Sequence, residues 1–170
     1  MRGYKRAFVE CPGIEVLGSG VGNYQQPDAK RLMAKFLADY PQIDAVLSAN
    51  DGMALGALEA LKEAGRTAVV IGINGILPAV KLIEIGALLA SVDFNMFKIG
   101  CIATRAALRH LRGERLPEKI MLPAAIIDRT NYKAWLVPVE QRTCPEWSEV
   151  VMSSTSPSPS RALEGEGRSE

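Results

Sequence analysis

Ile43-Asp44-Ala45-Val46-Leu47-Ser48-Ala49-Asn50-Asp51-Gly52-Met53-Ala54-Leu55-Gly56-Ala57-Leu58 changes character in its middle. Ile43 to Ser48 is a short apolar run of the kind that forms a brief strand. Asn50-Asp51 then offers an N-cap, and Ala54, Ala57, Leu58 and Leu61 recur at helical spacing until Gly65 closes the helix. A strand that hands over directly to a helix is the first half of a parallel βαβ unit.

The same alternation extends in both directions. Upstream, Ala29, Leu32, Met33, Phe36 and Leu37 form an apolar stripe with Lys30, Arg31 and Lys35 off it, and Tyr40-Pro41 stops that helix. Ile14-Glu15-Val16-Leu17 is a further predicted strand, preceded by a short helix. Downstream, Ala68 to Ile73 is strand-like and rich in β-branched residues, and a helix from about Pro78 to Ile85 stops at Gly86. Leu88 to Val92 is another strand. A long helix from about Asn95 to Arg112 follows, with Ile99, Ile102, Ala103, Ala106 and Ala107 expected inward and Arg105, Arg109 and Arg112 outward. Strands alternating with helices imply the α/β class and an open, doubly wound parallel sheet.

Length and composition fit that class. The 170 residues suffice for one domain or a small pair of lobes, and 20 Lys+Arg against 19 Asp+Glu leave a net charge of +1. So even a balance removes the electrostatic case for nucleic acid or an anionic membrane. No stretch approaches the roughly eighteen apolar residues that span a bilayer. Met1-Arg2-Gly3-Tyr4-Lys5-Arg6-Ala7-Phe8 has charges but no apolar run after them, unlike a secretory signal. Cys11, Cys101 and Cys144 are odd in number and widely spaced, which suits neither a disulfide framework nor a metal knuckle. Cys101 reads as a small core residue, and Cys11 and Cys144 as loop thiols. Ser153 to Glu170 is rich in Ser, Pro, Glu and Gly and reads as a disordered tail.

In open parallel sheets, ligands bind at the carboxyl ends of strands. That rule selects Asn23-Tyr24, Asn50-Asp51, Asn74-Gly75 and Asp93-Phe94-Asn95. Amides and carboxylates can donate to and accept from vicinal hydroxyls, and aromatic faces suit the C–H face of a sugar ring. Each position also has a plainer explanation. Asn50 or Asp51 can serve as an N-cap, Asn74-Gly75 as a turn, Asp93 as a cap for the helix holding Lys98 and Ile99, and Tyr24 as half-buried packing. The recurrence of one chemistry at four strand ends favours a ligand site.

Catalysis fares worse. Gly18-Ser19-Gly20-Val21-Gly22-Asn23 resembles a dinucleotide fingerprint but has Asn23 where the pattern needs Gly, and the next helix starts late. The single His110 excludes chemistry that needs two imidazoles and has no identifiable nucleophile beside it. No enzyme activity, metal or cofactor is expected.

The run from Ile43 to Leu58 resembles the signature of type I periplasmic binding proteins, the ribose-binding-protein-like components of bacterial sugar ABC transporters. The resemblance continues through Ala64-Gly65-Arg66, Val70-Ile71-Gly72-Ile73-Asn74-Gly75, Ala79-Val80 and Gly86 to Val92, over about residues 1 to 135. It implies carbohydrate capture in an interlobe cleft, a sugar or polyol ligand, an ABC permease as partner and a periplasmic location. Asn50 falls on the family's sugar-binding Asn and Asn74 on a position usually held by Asp. Tyr24 falls near a ring-stacking aromatic, and Phe94 on a position often held by Gln, with Asp93 or Asn95 available for that role. An amide at 74 bonds hydroxyls without charge-assisted acceptance.

The resemblance further implies that residues 1–135 are the C-terminal lobe and crossover helix, that 136–152 extend it, and that 153–170 form the tail. The family's first lobe, and the first strand of its second lobe, have no counterpart here. A truncated reading is therefore expected to fold incompletely and bind sugars feebly. The effector-binding half of a lac-repressor-like regulator shares the fold. Such regulators carry a Pro-Leu-Thr-Thr stretch where this chain has Leu88-Leu89-Ala90-Ser91-Val92, which favours transport.

Overall fold

A computed structural model describes residues 2–155. Four strands form one open sheet in the order β1 (Ala45–Leu47), β2 (Val69–Ile73), β3 (Ala90–Asp93) and β4 (Ala125–Ile127). The first three run parallel, with Ala45 opposite Val69 and Ile71 opposite Ala90. β4 adds an antiparallel edge, with Ile127 opposite Ser91. The expected parallel sheet is thus present with one reversed strand, an arrangement common at the edges of α/β sheets.

Two helices make the crossovers, α3 (Asp51–Glu63) between β1 and β2, and α4 (Leu77–Glu84) between β2 and β3. Both connections step the same way along the sheet. Right-handed crossovers in one direction place their helices on one face, and the two helices share one core with β2. Ala54, Ala57, Ala60 and Leu61 of α3 meet Ala79, Val80 and Ile83 of α4 over Val70, Leu88 and Ile127. After a first helix α1 (Arg2–Glu10), α2 (Gln26–Asp39) packs along α3 through Met33. Gly56 permits that approach, because a Cβ there would collide with the Gln26 carbonyl oxygen. Arg66 fastens the far end by donating to the carbonyls of Leu37, Tyr40 and Pro41.

Three sequence expectations are corrected. Ile14 to Leu17 is not a strand, and these residues are exposed. No strand among the described residues pairs with it, and a strand without a neighbour has only water to satisfy its ladder groups.

The second correction concerns cysteine. Cys101 and Cys144 form a disulfide with their Cα atoms 5.7 Å apart, leaving Cys11 as an exposed free thiol. Their sequence separation of 43 concealed the pair, since disulfide geometry depends on distance in space.

The third concerns α5 (Met96–Leu111). Ile102 is buried and Ala106 half-buried, but Ile99, Ala103 and Ala107 are exposed. Arg105 and Arg109, expected outward, are instead half-buried beneath the C-terminal arm. Arg105 donates to the Pro145 carbonyl, and the Arg109 guanidinium lies 4.9 Å from the Trp147 ring centroid. That arm ends in α6 (Trp147–Thr155). Helix therefore continues three residues into the segment expected to be the tail, and residues 156–170 lie outside the described ones.

Candidate strand-end binding site

At the carboxyl end of β1, Asn50 precedes α3 in extended conformation and caps it. Its Oδ1 accepts from the Met53 N–H at 2.7 Å. Its Nδ2 donates to the Tyr24 carbonyl at 3.2 Å, which ties the turn before α2 to the start of α3. Asn23 and Tyr24 both have positive φ (50° and 56°), and Tyr24 is 69% exposed. The capping function and the expected place in the site therefore coincide on one side chain. An amide has two lone pairs and two N–H donors, so capacity for a ligand remains.

Asp51, noted in the sequence only as half of a capping pair, is fully enclosed at 0% exposure, as is Ser91. Its Oδ1 accepts from the Ser91 hydroxyl at 2.6 Å and its Oδ2 from the Ile76 N–H at 2.9 Å. Ser91 Oγ in turn accepts from the Gly75 N–H at 3.0 Å. Burial pushes the Asp51 carboxyl above the ordinary value of 3.8; bonds from Ser91, Ile76 and Gly75 oppose the shift, and the nearby Asp93 charge adds to it. The sequence signal was Ser91, a polar residue within an apolar strand run.

Asn74 leaves β2 with φ at 124° and donates its N–H to the Val92 carbonyl at 2.9 Å. Gly75 follows at φ 67°, directly above the β3–β4 edge. A Cβ there would lie 2.5 Å from Ile127 Cδ1, 3.2 Å from Asp93 Cβ and 3.5 Å from Trp135 Cδ1. Only glycine fits both the left-handed backbone and that floor.

At the end of β3 the expected residues divide. Asp93 is buried, and both of its oxygens have partners within the chain: Oδ1 accepts from the Asn95 N–H at 2.7 Å, and Oδ2 from Trp135 Nε1–H at 2.9 Å. Phe94 is 37% exposed. Asn95 adopts the left-handed conformation (φ 62°, ψ 48°) and donates through Nδ2 to the Pro123 carbonyl. Sequence reasoning missed Trp135, which lies on a 3₁₀ turn (Tyr132–Trp135) beyond β4.

A separate groove of about 530 Å³ runs between α5 and residues 117–122, lined by Ile99, Ile102, Ile120 and Met121 among others. It meets the strand-end residues only at Phe94, and its lining is apolar apart from Glu118.

Residues 1–115 match the periplasmic binding protein domain. The chain belongs to that family. Among relatives, this periplasmic binding protein is 34% identical over 125 residues to a putative rhizopine-binding protein of Rhizobium meliloti, covering 72% of this chain and 40% of that protein. It superposes with a TM-score of 0.75 and 28% identity on an ABC transporter periplasmic solute binding protein from Actinobacillus succinogenes with bound D-allose, over 78% of this chain and 48% of that one. The same score and identity hold for an ABC transporter solute binding protein from Bacillus halodurans with bound myo-inositol, over 79% and 47%. The chain thus spans less than half the length of each of these proteins. Among the described residues, no helix is long and apolar enough to cross a membrane.

Proposed function

We propose that this chain contributes one side of a site that captures a sugar or polyol without covalent change, as part of the substrate-binding component of an ABC importer working in the periplasm. One observation carries the reading. Among the described residues, the positive-φ residues other than glycine are Asn23, Tyr24, Asn74 and Asn95; Asn74 and Asn95 stand at strand ends, and the Asn23-Tyr24 turn is tied to the strand-end Asn50 through the Tyr24 carbonyl. Such conformations persist where surrounding structure holds them, and they concentrate at binding sites.

Asn50, Asn74 and Asn95 supply amides to hydroxyl groups, and Tyr24 and Phe94 supply ring faces. Asp93 serves from beneath, because its oxygens are already bonded. The ligand reaches a neutral amide at 74, so recognition there rests on ordinary hydrogen bonds. The role is binding without turnover, and an ABC permease is the partner to which the loaded protein would deliver.

The test is an amide NMR titration of the chain with D-allose and with myo-inositol. Weak binding is expected, with shifts confined to Asn50, Asn74, Phe94, Asn95 and their neighbours. Asn74→Gly removes the amide while relieving its positive φ; it should abolish the shifts and leave the melting temperature unchanged or raised. Shifts that avoid these residues, or none with either ligand, overturn the proposal.

A further inference from the structure

Two turns carry the proposed ligand contacts at β2 and β3, Asn74-Gly75-Ile76 and Phe94-Asn95, and neither is held by its own strand alone. The first is bonded from below at two successive N–H groups, Gly75 to Ser91 Oγ and Ile76 to Asp51 Oδ2. The second is bonded at the Asn95 N–H by Asp93 Oδ1. Trp135 joins the two supports. Its indole N–H holds the remaining oxygen of Asp93, while its Cδ1 lies beneath Gly75, 3.5 Å from the place a Cβ would take. One side chain from the segment after β4 therefore fixes the carboxylate under one turn and floors the other.

We propose that Trp135 is a positioning residue for the ligand site, acting through Asp93 on Asn95 and through Gly75 on Asn74, with Ser91 and Asp51 as the second arm of the same support. This rests on the sugar-binding reading in one respect only, that the turns it positions are the ones that meet the ligand. The reason for a support of this kind lies in the backbone. Asn74 and Asn95 hold left-handed conformations that a non-glycine residue leaves readily. An asparagine amide on such a turn is presented to the ligand in one place only while the turn is over-determined from beneath. Loosening the support spreads the turn over several conformers, and apparent affinity falls by the fraction of time the competent one is lost.

Trp135→Phe keeps an aromatic ring and deletes the indole donor. Ser91→Ala deletes the hydroxyl between Asp51 and Gly75, and Ser91→Thr restores it. Amide hydrogen exchange and the D-allose and myo-inositol titrations are measured on the whole chain for each. In Trp135→Phe, exchange at Asn95 should rise about tenfold and at Gly75 by a smaller factor, because the ring floor and the Ser91 bond remain; Val70 and Val80 in the core should be unchanged, and ligand affinity should fall by about tenfold. Ser91→Ala should do this at Gly75 and Ile76, and Ser91→Thr should return both readouts to the original values.

A uniform rise in exchange across the core, or unchanged exchange at the turns, overturns the proposal and leaves Trp135 as ordinary packing. Looser turns with unchanged affinity overturn it too, because the turns would then not govern binding. If the unaltered chain responds to neither ligand, the sugar reading fails by itself. The exchange pattern in Trp135→Phe and Ser91→Ala then still decides whether Trp135 positions the two turns.

Discussion

Ile83 on α4 and Ile99 on α5 are both large aliphatic residues on the apolar stripes of amphipathic helices, yet Ile83 is 0% exposed and Ile99 is 42% exposed. The helices differ in how the chain returns from them. α4 joins two adjacent parallel strands, so its apolar stripe has to lie on the sheet that it connects. α5 leaves β3 and is not followed by a neighbouring parallel strand. It is held by the Cys101–Cys144 disulfide, by Arg105 on the Pro145 carbonyl and by Arg109 over Trp147. The amphipathic pattern marks which face seeks cover, and the connection decides what covers it.

Truncating both residues tests that comparison most severely. Ile83→Ala should cost about 2–5 kcal/mol in urea unfolding, because it leaves a cavity in a closed core. Ile99→Ala should stay within about 0.5 kcal/mol. Equal losses would mean that the α5 face is also a closed core, and the contrast between the helices would fall.

Reduction of the disulfide is expected to act next most strongly. In general such a link contributes about 2–4 kcal/mol, and here the loss should be local. After reduction, exchange should rise in the arm and along α5 while Val70, Val80 and Ile83 keep their protection. Loss of protection throughout the core would show that the two regions fold as one unit.

The smallest effect is a pH dependence confined to the strand-end side. In the unfolded chain Asp51 ionises near the ordinary value of 3.8, and in the folded chain burial raises that value. Between the two values the folded protein keeps a proton that the unfolded chain has released, so stability falls as pH rises through that interval and stays lower above it. Asp51→Asn removes this contribution whatever its effect on absolute stability. An unchanged slope from pH 4 upward in the variant would show that Asp51 is not its source.

The legible part of the molecule was the part decided by neighbours in sequence. Periodicity in Ala54, Ala57 and Leu61, the stop at Gly65 and the β-branched run at Val69 to Ile73 sufficed for α3 and β2. The rule that ligands gather at strand ends pointed to Asn50, Asn74 and Phe94-Asn95, and the fold brings those strand ends to one edge. Ile14 to Leu17 has the composition of a strand, but forming one requires a partner in space, which composition does not report. Asp51 was visible beside Asn50 as a capping residue. Its bonds to Ser91 and Ile76 cross 40 and 25 residues of chain, distances at which no spacing pattern operates.

Local sequence by itself determined the α/β alternation, the capped start of α3 and the kind of chemistry at the strand ends, since each depends on residues a few positions apart. Tertiary structure alone decided that Cys101 meets Cys144, that Asp93 is held by Trp135 and that Ile126 is left exposed while Ile127 is buried. Those outcomes depend on which remote segments the sheet brings together, and on which of its faces the crossover helices cover.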